Sequence, residues 1–310
     1  MNEAGSKNPR VSLVIPVYNG EAYLVDAITS CLAQDHDNLE LIISDNASTD
    51  DTDRICREFA AKDARVKYFR NEKNLGAGRN FNVGYHHSSG KYLKWCASDD
   101  RISPNFVSAC VAVLERNPEV VLAYGTTISI DTAGHEIPLV GRGRKAQHPN
   151  DGVAKRFLKD LNYRGTNFEV FGLFRREMLE KSTLHRPYYG SDLTLLSELT
   201  LLGRFAHVPE AIFYNREHPT RSINVKDKKV LLAWQDTEAA VKRQPRRENW
   251  ERLKHLLEIA FRHRHTTPFL SVLGVIAIWT TARVRDRIAV TLHQMTSVLF
   301  KRRAANREVQ

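Results

Sequence analysis

Residues 11–20, VSLVIPVYNG, are the strongest indication of fold in this 310-residue chain. Its first seven residues, Val11–Val17, form an almost unbroken apolar run, and the polar pair Tyr18-Asn19 follows at once. Such a run is typical of a strand buried on both faces of a parallel sheet, whereas a strand with one solvated face alternates apolar and polar residues. We therefore predict that residues 11–18 form a buried strand of an α/β sheet.

Downstream of this strand, apolar runs alternate with segments that have a helical pattern. Strands separated by helices of this length imply right-handed crossovers and a mostly parallel sheet. The predicted helices are 21–34, 51–61, a third that the loop 74–78 opens and that runs toward His87, 103–116 (capped by Ser103, with Pro104 in its first turn), 151–161 and 192–202. The predicted strands are 39–45, 66–70, 91–97, 120–129, 168–175 and 211–215.

Polar pairs follow three of the predicted strands: Tyr18-Asn19, Asp45-Asn46 and Asp99-Asp100. Ligands of open α/β sheets bind beyond the carboxyl ends of the strands. The three pairs therefore predict a binding site at that edge of the sheet.

Asp99 and Asp100 are adjacent carboxylates at a strand end, where their like charges repel each other. A divalent cation offsets that repulsion, and Mg²⁺ or Mn²⁺ typically takes one or two carboxylates together with phosphate oxygens and water. The pair therefore suits a metal-bound diphosphate. The alternative is a solvated turn whose aspartates cap the next helix.

Asp45 ends the second strand, with Ser48 in the loop that follows. A carboxylate here can accept hydrogen bonds from a nucleobase or a ribose, although the loop could equally serve only as a helix cap. Gly76-Ala77-Gly78 matches part of a dinucleotide-binding fingerprint, but Phe81 stands at the third glycine position. The same loop brings Arg79 and Asn80 to where they can face a nucleotide.

Four segments together resemble the family-2 glycosyltransferases over about residues 10–220. Residues 11–20 resemble the opening strand of that family, and LIISDNASTDDT at 41–52 resembles its second strand and nucleotide loop. Asn74-Leu75-Gly76 with Arg79-Asn80 resembles its third segment. Ser98-Asp99-Asp100 stands where these enzymes carry a DXD-type metal motif, with serine in place of the first acid.

The resemblance implies a GT-A fold, a nucleoside-diphosphate sugar as donor, and Mn²⁺ or Mg²⁺ as cofactor. It favours a UDP-sugar and an inverting transfer to a hydroxyl of a glycan or lipid-linked acceptor, in glycan or cell-envelope polysaccharide synthesis. Asp100 would be the strongest metal ligand. The residues that would bind the nucleotide sugar are Pro16, Tyr18, Asn19, Asp45, Ser48, Arg79, Asn80 and Asp99.

Asp192 is the candidate general base. The segment Tyr189-Gly190-Ser191-Asp192 precedes a predicted helix and resembles the acceptor-side segment of the family, in which the usual Glu-Asp pair is here Ser191-Asp192. A carboxylate suits the step because it can accept the proton of an acceptor hydroxyl. The alternative for Asp192 is a plain helix cap.

His218 follows the predicted strand at 211–215. Some family members place a metal- or phosphate-binding histidine after this strand, so His218 is a second candidate metal ligand. Packing or capping is the alternative role for a lone histidine.

The charge of the chain is unevenly distributed. Residues 1–225 hold equal numbers of acidic and basic residues, so the net charge of +10 arises entirely in residues 226–310. We assign residues 1–225 to a GT-A glycosyltransferase domain and residues 226–310 to a basic, helical C-terminal extension. Apolar residues recur there at helical spacing, at Ile288, Leu292, Met295 and Leu299.

The basic extension favours a peripheral anchor on an anionic membrane surface, and the alternative is a helical extension packed on the catalytic domain. We expect no nucleic-acid partner, because aromatic residues are not interleaved with the basic ones. The four cysteines form no CxxC pair, which favours reduced thiols in the cytoplasm. With no apolar signal core at the N-terminus, we expect a cytoplasmic protein, peripheral on the inner face of the membrane.

Two other functions fit parts of the sequence. A nucleotidyltransferase also uses an α/β sheet, a metal and a diphosphate, but it usually carries a basic, glycine-rich loop where this chain has Tyr18-Asn19-Gly20-Glu21. A non-catalytic homologue that binds sugar nucleotides or acts as a scaffold is the third hypothesis. Retention of Asp45, Asp100 and Asp192 argues against it.

Overall fold

The computed structural model describes residues 8–143, 147–148, 150–221, 224, 227, 230, 234–235 and 248–285. Strands β1–β9 are Val11–Val17, Leu39–Asp45, Val66–Arg70, Tyr92–Trp95, Arg101–Ile102, Val120–Ile130, Glu136–Ile137, Leu173–Arg175 and Arg204–Arg216. Helices α1–α7 are Leu24–Leu32, Thr52–Lys62, Ala77–His86, Phe106–Arg116, Val153–Leu161, Arg176–Lys181 and Ser191–Leu202. Glu248–Arg262 and residues 269–285 are also helical, and we call them the C-terminal helix pair.

The strands form one mixed sheet in the order β3-β2-β1-β4-β8-β6-β9-β5, with β7 paired to β6. β1 pairs in parallel with β2 and β4, β2 pairs in parallel with β3, and β6 pairs in parallel with β9. β8 runs antiparallel between β4 and β6. The prediction of a mostly parallel α/β sheet is confirmed.

The first strand lies at the centre of this packing. All seven residues of β1 are buried. Helix α3 approaches β1 so closely that a Cβ atom on Gly84 would lie 2.3 Å from Val14 Cγ1. Glycine at position 84 therefore allows α3 to pack closely against β1.

Glu40 joins the first three strands at their amino ends. Its carboxylate accepts hydrogen bonds from Ser12 Oγ (2.7 Å), Lys67 Nζ (2.8 Å) and the Ser89 amide (2.7 Å). Burial raises the pKa of Glu40, but these hydrogen bonds outweigh it and lower the pKa to about 2. The ionised Glu40 therefore crosslinks the amino ends of the strands. The polar pairs lie at the opposite, carboxyl edge of the sheet.

Several predicted elements have different bounds in the structure, and three of the differences have a clear physical reason or change the type of element. Helix α4 begins at Phe106, because the Ser103 hydroxyl accepts the Ile212 amide (3.0 Å) instead of capping the helix. The strand predicted at 168–175 is a 3₁₀ turn, Phe168–Phe171, followed by the three-residue β8. The strand predicted at 211–215 is the thirteen-residue β9, because it pairs with β6 along its length.

The C-terminal helix pair packs on helices α5 and α7. The shared apolar cluster contains Phe157, Leu161, Leu201, Leu256, Ile259, Ala260, Val272, Val275, Ile276 and Trp279. The described part of the predicted extension is therefore joined to the rest of the chain by an apolar core. The predicted apolar row from Ile288 to Leu299 lies outside the described residues. In the part of the chain that the structure describes, no helix is long and apolar enough to cross a membrane.

Candidate active site

A cleft of about 620 Å³ opens at the carboxyl ends of β1 and β4. Its volume falls in the range of about 300–1,000 Å³ that is usual for small-molecule sites. The predicted site residues that line it are Pro16, Tyr18, Asn19, Asn80, Asp99, Asp100 and His218. The structure therefore brings together two of the three polar pairs found in the sequence, Tyr18-Asn19 and Asp99-Asp100.

The loop after β1 holds Tyr18 at the mouth of the cleft. Asn19 has a left-handed backbone, with φ of 51°. Its amide donates to Ser48 Oγ (2.9 Å), and its side-chain oxygen accepts the Thr49 amide (2.8 Å). Ser48 is thus used to shape this loop, and the half-exposed Tyr18 ring is left facing the cleft.

Three predicted nucleotide-binding residues, Asp45, Ser48 and Arg79, do not line the cleft. Asp45 is fully buried, and its carboxylate accepts hydrogen bonds from the Ser48 amide (2.9 Å), Tyr68 Oη (2.8 Å) and an Arg70 guanidinium nitrogen (2.6 Å). Arg79 is exposed on α3. Direct contact of these three residues with a nucleotide stays a prediction.

Arg216 organises the two aspartates, although it is itself only 1% exposed. Its Nε donates to the Asp99 carbonyl (2.8 Å), and its amide donates to Asp100 Oδ1 (2.7 Å). A terminal nitrogen of the same guanidinium pairs with Asp26 Oδ2 (2.8 Å). No pattern in the sequence indicates this role, because Asp26, Asp99 and Asp100 lie more than 110 positions away from Arg216 in the chain.

His218 lies against the same pair of aspartates. Its Nε2 is 2.9 Å from Asp99 Oδ2, and its Nδ1 is 2.9 Å from Thr220 Oγ1. The ring also contacts Tyr23, with 4.9 Å between the ring centroids. The two predicted metal ligands, Asp100 and His218, therefore both reach the cleft beside Asp99.

The electrostatics of Asp100 fit a cation site. Burial raises the pKa of Asp100 well above its ordinary value, and the neighbouring charge of Asp99 raises it further. A divalent cation would offset both effects. Within the described ranges, no group of three or more His, Cys, Asp or Glu side chains could hold a metal ion. Mg²⁺-type sites on a diphosphate use only one or two carboxylates, so Asp100 with Asp99 beside it fits that simpler donor set.

Asp192 lies in the first turn of α7, after Gly190, whose backbone is left-handed. Asn167 Nδ2 donates to Asp192 Oδ2 (3.0 Å), and Asn167 directly precedes the 3₁₀ turn whose Phe171 lines the cleft. Asp192 itself is not among the lining residues.

His185 provides a second link between Asp192 and the cleft wall. Its ring packs on Phe81 (4.8 Å between centroids), which lines the cleft, and on Trp95 (4.9 Å). Burial lowers the pKa of His185 to about 4, and the charge of Asp192 opposes that shift.

Several cleft residues had no signal in the sequence analysis. They include Tyr23, Phe81, Phe171, Asn215, Arg221, Val230 and Trp234. Val230 and Trp234 come from the segment predicted as the start of the basic extension, and no residue spacing could show that this segment returns to the cleft. Asn46 also lines the cleft, and its position directly after Asp45 was the one available signal.

Comparison with known proteins identifies the family to which the sequence belongs. The sequence profile of the family described as Glycosyl transferase family 2 matches residues 12–183. A relative from Campylobacter jejuni, named GalNAc(5)-diNAcBac-PP-undecaprenol beta-1,3-glucosyltransferase, is 26% identical over 188 residues. The match covers 60% of this chain and 58% of the relative, so the chain spans less than two thirds of that protein's length.

Two solved structures share the fold at low sequence identity. Staphylococcus aureus TarS 1–349 in complex with UDP-GlcNAc gives a TM-score of 0.61 at 16% identity, over 87% of this chain and 71% of TarS. The mannosyltransferase PcManGT from Pyrobaculum calidifontis, in complex with GDP-Man and Mn²⁺, gives a TM-score of 0.52 at 16% identity, over 93% of this chain and 81% of that one. With the profile match over more than half of its length, this chain belongs to glycosyltransferase family 2 and has a GT-A fold.

Proposed function

We propose that this family-2 glycosyltransferase is a metal-dependent, inverting enzyme that takes its sugar from a nucleoside-diphosphate donor. The observation that carries the proposal is the convergence of Tyr18, Asn80 and the Asp99-Asp100 pair on one cleft at the carboxyl edge of the sheet. The fold neighbours with UDP-GlcNAc and with GDP-Man and Mn²⁺ support a nucleotide sugar and a divalent cation.

The donor half of the cleft has the groups that such a ligand needs. The exposed ring of Tyr18 offers a surface for the nucleobase. Asp100, with Asp99 and His218 beside it, would hold Mn²⁺ or Mg²⁺. The bound ion would neutralise charge on the departing nucleoside diphosphate. Arg216 fixes the orientation of both aspartates through its hydrogen bonds to the Asp99 carbonyl and to Asp100.

Asp192 supplies the base of the proposed reaction. Its carboxylate accepts the proton of an acceptor hydroxyl. The hydroxyl oxygen forms a bond to the anomeric carbon on the face opposite the diphosphate, and the bond from that carbon to the diphosphate oxygen breaks. The nucleoside diphosphate leaves with the bonding electrons. One displacement inverts the configuration of the anomeric carbon.

Calorimetry on the whole chain tests the donor class. UDP, GDP, dTDP and CDP are titrated separately, with and without Mn²⁺. We expect one nucleotide, with UDP favoured, to bind and to bind more tightly with Mn²⁺. Failure of all four nucleotides to bind under either condition would contradict the proposed function.

We also propose a lipid-linked or cell-envelope acceptor, reached by peripheral binding to the inner face of an anionic membrane. The C-terminal helix pair exposes large apolar side chains, with Phe261 54%, Leu270 81% and Ile278 59% accessible. The exposed Arg262 and Arg264 lie in the same part of the chain. Apolar side chains beside basic ones suit the headgroup region of an anionic membrane. The name of the Campylobacter jejuni relative, which refers to an undecaprenol-linked sugar, supports a lipid-linked acceptor.

Co-sedimentation with vesicles tests the membrane proposal. We expect the chain to sediment with phosphatidylglycerol vesicles and not with phosphatidylcholine vesicles, and to be released by salt, which screens surface charge. The double variant Leu270→Glu/Ile278→Glu should lose most of this binding. Val25→Glu, at an exposed position on α1, is the control for added charge. Sedimentation of the double variant equal to that of the wild type would refute the assignment of this surface.

A further inference from the structure

A buried chain of polar side chains joins the C-terminal helix pair to the segment around Asp192. Glu198 of α7 is fully buried, and its carboxylate accepts the amide (2.8 Å) and the hydroxyl (2.5 Å) of Thr183. His263 Nε2 lies 2.8 Å from the other oxygen of Glu198. His255 Nε2 lies 2.7 Å from Thr183 Oγ1, and His255 Nδ1 lies 2.7 Å from Tyr188 Oη.

The direction of the hydrogen bonds in this network follows from the Glu198 carboxylate, which can only accept. Thr183 donates its hydroxyl proton to Glu198, so its oxygen must accept a proton from His255 Nε2. Burial lowers the pKa of His255 to about 4, and the ring is therefore neutral at pH 7. A neutral imidazole with a proton on Nε2 accepts at Nδ1, where the Tyr188 hydroxyl donates. His255 must thus be a donor and an acceptor at once.

This hydrogen-bond network reaches residues on both sides of Asp192 in the sequence. Tyr188 lies four residues before Asp192, and its hydroxyl is 2.9 Å from Thr194 Oγ1, two residues after it. The Tyr188 carbonyl also accepts the Ser191 amide (3.2 Å) at the start of α7. His255 and Glu198 therefore hold both the loop that leads into α7 and the first turns of the helix.

We propose that His255 and Glu198 are positioning residues that fix Asp192 for proton transfer, so that the C-terminal helix pair is part of the catalytic machinery. This inference rests on the proposed function of Asp192 as the base. Its physical basis is that a buried polar group left without its partner is costly, so removal of His255 forces Thr183 and Tyr188 to rearrange. Small displacements of a catalytic group lower the rate far more than they lower donor binding.

The test compares His255→Phe with His265→Phe, an exposed histidine just after the same helix. We expect His255→Phe to lower kcat for sugar transfer by at least about tenfold while the Kd of the donor nucleotide changes less than about twofold. His265→Phe should match the wild type in both. Hydrogen exchange should rise at the amides of residues 183–194 in His255→Phe only. Thr183→Val breaks the same chain at its centre with a side chain of similar shape, and it serves if His255→Phe does not fold.

Wild-type kcat in a folded variant, or unchanged exchange at residues 183–194, would overturn the positioning role. A parallel loss of nucleotide binding and kcat would also overturn it, since the damage would then be general. If the wild-type chain itself binds no nucleotide and transfers no sugar, the proposed function fails. The exchange measurement then still decides whether His255 holds the segment.

Discussion

Replacing Asp192 with asparagine is expected to lower kcat for sugar transfer by about 10²- to 10⁴-fold, the usual contribution of a positioned general base. Asparagine keeps an oxygen that can accept the hydrogen bond from Asn167 Nδ2, so the first turn of α7 should keep its geometry. It cannot take a proton from the acceptor hydroxyl. Donor binding should be unchanged, because Asp192 does not line the cleft. Steady-state transfer assays and calorimetry on the same preparation measure the two quantities.

Glu177→Gln is the matched control for this variant. Glu177 is the second residue of α6, as Asp192 is of α7, and it is exposed. Both substitutions remove one negative charge from a helix N-terminus, at a cost of about 0.3–1 kcal/mol in stability. The control should retain wild-type kcat. If Asp192→Asn also retained wild-type kcat, Asp192 would only be an acid at a helix N-terminus, with no part in the chemistry. That result would fit a scaffold or binding protein.

Elements whose limits depend on the local residue pattern were predictable from the sequence. β2 and β3 have the bounds that the sequence predicted, 39–45 and 66–70. All seven residues of β2 are buried, and the strand ends at Asp45, where the polar loop begins. β3 is a partly buried strand at the edge of the sheet, and its local residue pattern was still enough to predict its limits. The polar pairs Tyr18-Asn19 and Asp99-Asp100 were predictable as cleft residues, because they follow β1 and β4 at the carboxyl edge of the sheet.

The parts that could not be predicted depend on contacts between distant segments. β9 extends well beyond its predicted start because its partner, β6, supplies the pairing, and no residue within β9 signals that. Arg216 looks in the sequence like one more basic residue, yet it holds Asp26, Asp99 and Asp100 together. His255 and Glu198 are 57 positions apart, and only the packing of the C-terminal helix pair shows that they serve one network.

Asp100 is also the candidate metal ligand whose negative charge is costly to the fold. Its side chain is buried beside Asp99, and both burial and the like charge raise its pKa, so the ionised form is costly in the folded protein. A group with a raised pKa destabilises the fold above that pKa, where the carboxylate must be charged. Sites that bind cations often carry this kind of cost, and removal of the charge then stabilises the protein.

Asp100→Asn is therefore expected to abolish the Mn²⁺-dependent part of nucleotide binding while raising the Tm. Loss of a ligand should cost at least about 100-fold in metal-dependent affinity, the upper end of what loss of an outer-shell partner costs. The asparagine oxygen can still accept the Arg216 amide, so the cleft should keep its shape. Calorimetry with and without Mn²⁺ measures the affinity, and thermal unfolding without nucleotide measures the stability.

Asp26→Asn separates a metal ligand from a general effect of charge. Asp26 also pairs with Arg216, but it is half-exposed and does not line the cleft. Its substitution should leave Mn²⁺-dependent binding unchanged and should not raise the Tm, because Arg216 then lacks its acidic partner. If both variants lost Mn²⁺-dependent binding equally, the field around Arg216 would explain the effect, and Asp100 would not be a ligand. If Asp100→Asn bound the nucleotide with Mn²⁺ as tightly as the wild type, the metal site would have to lie on other residues.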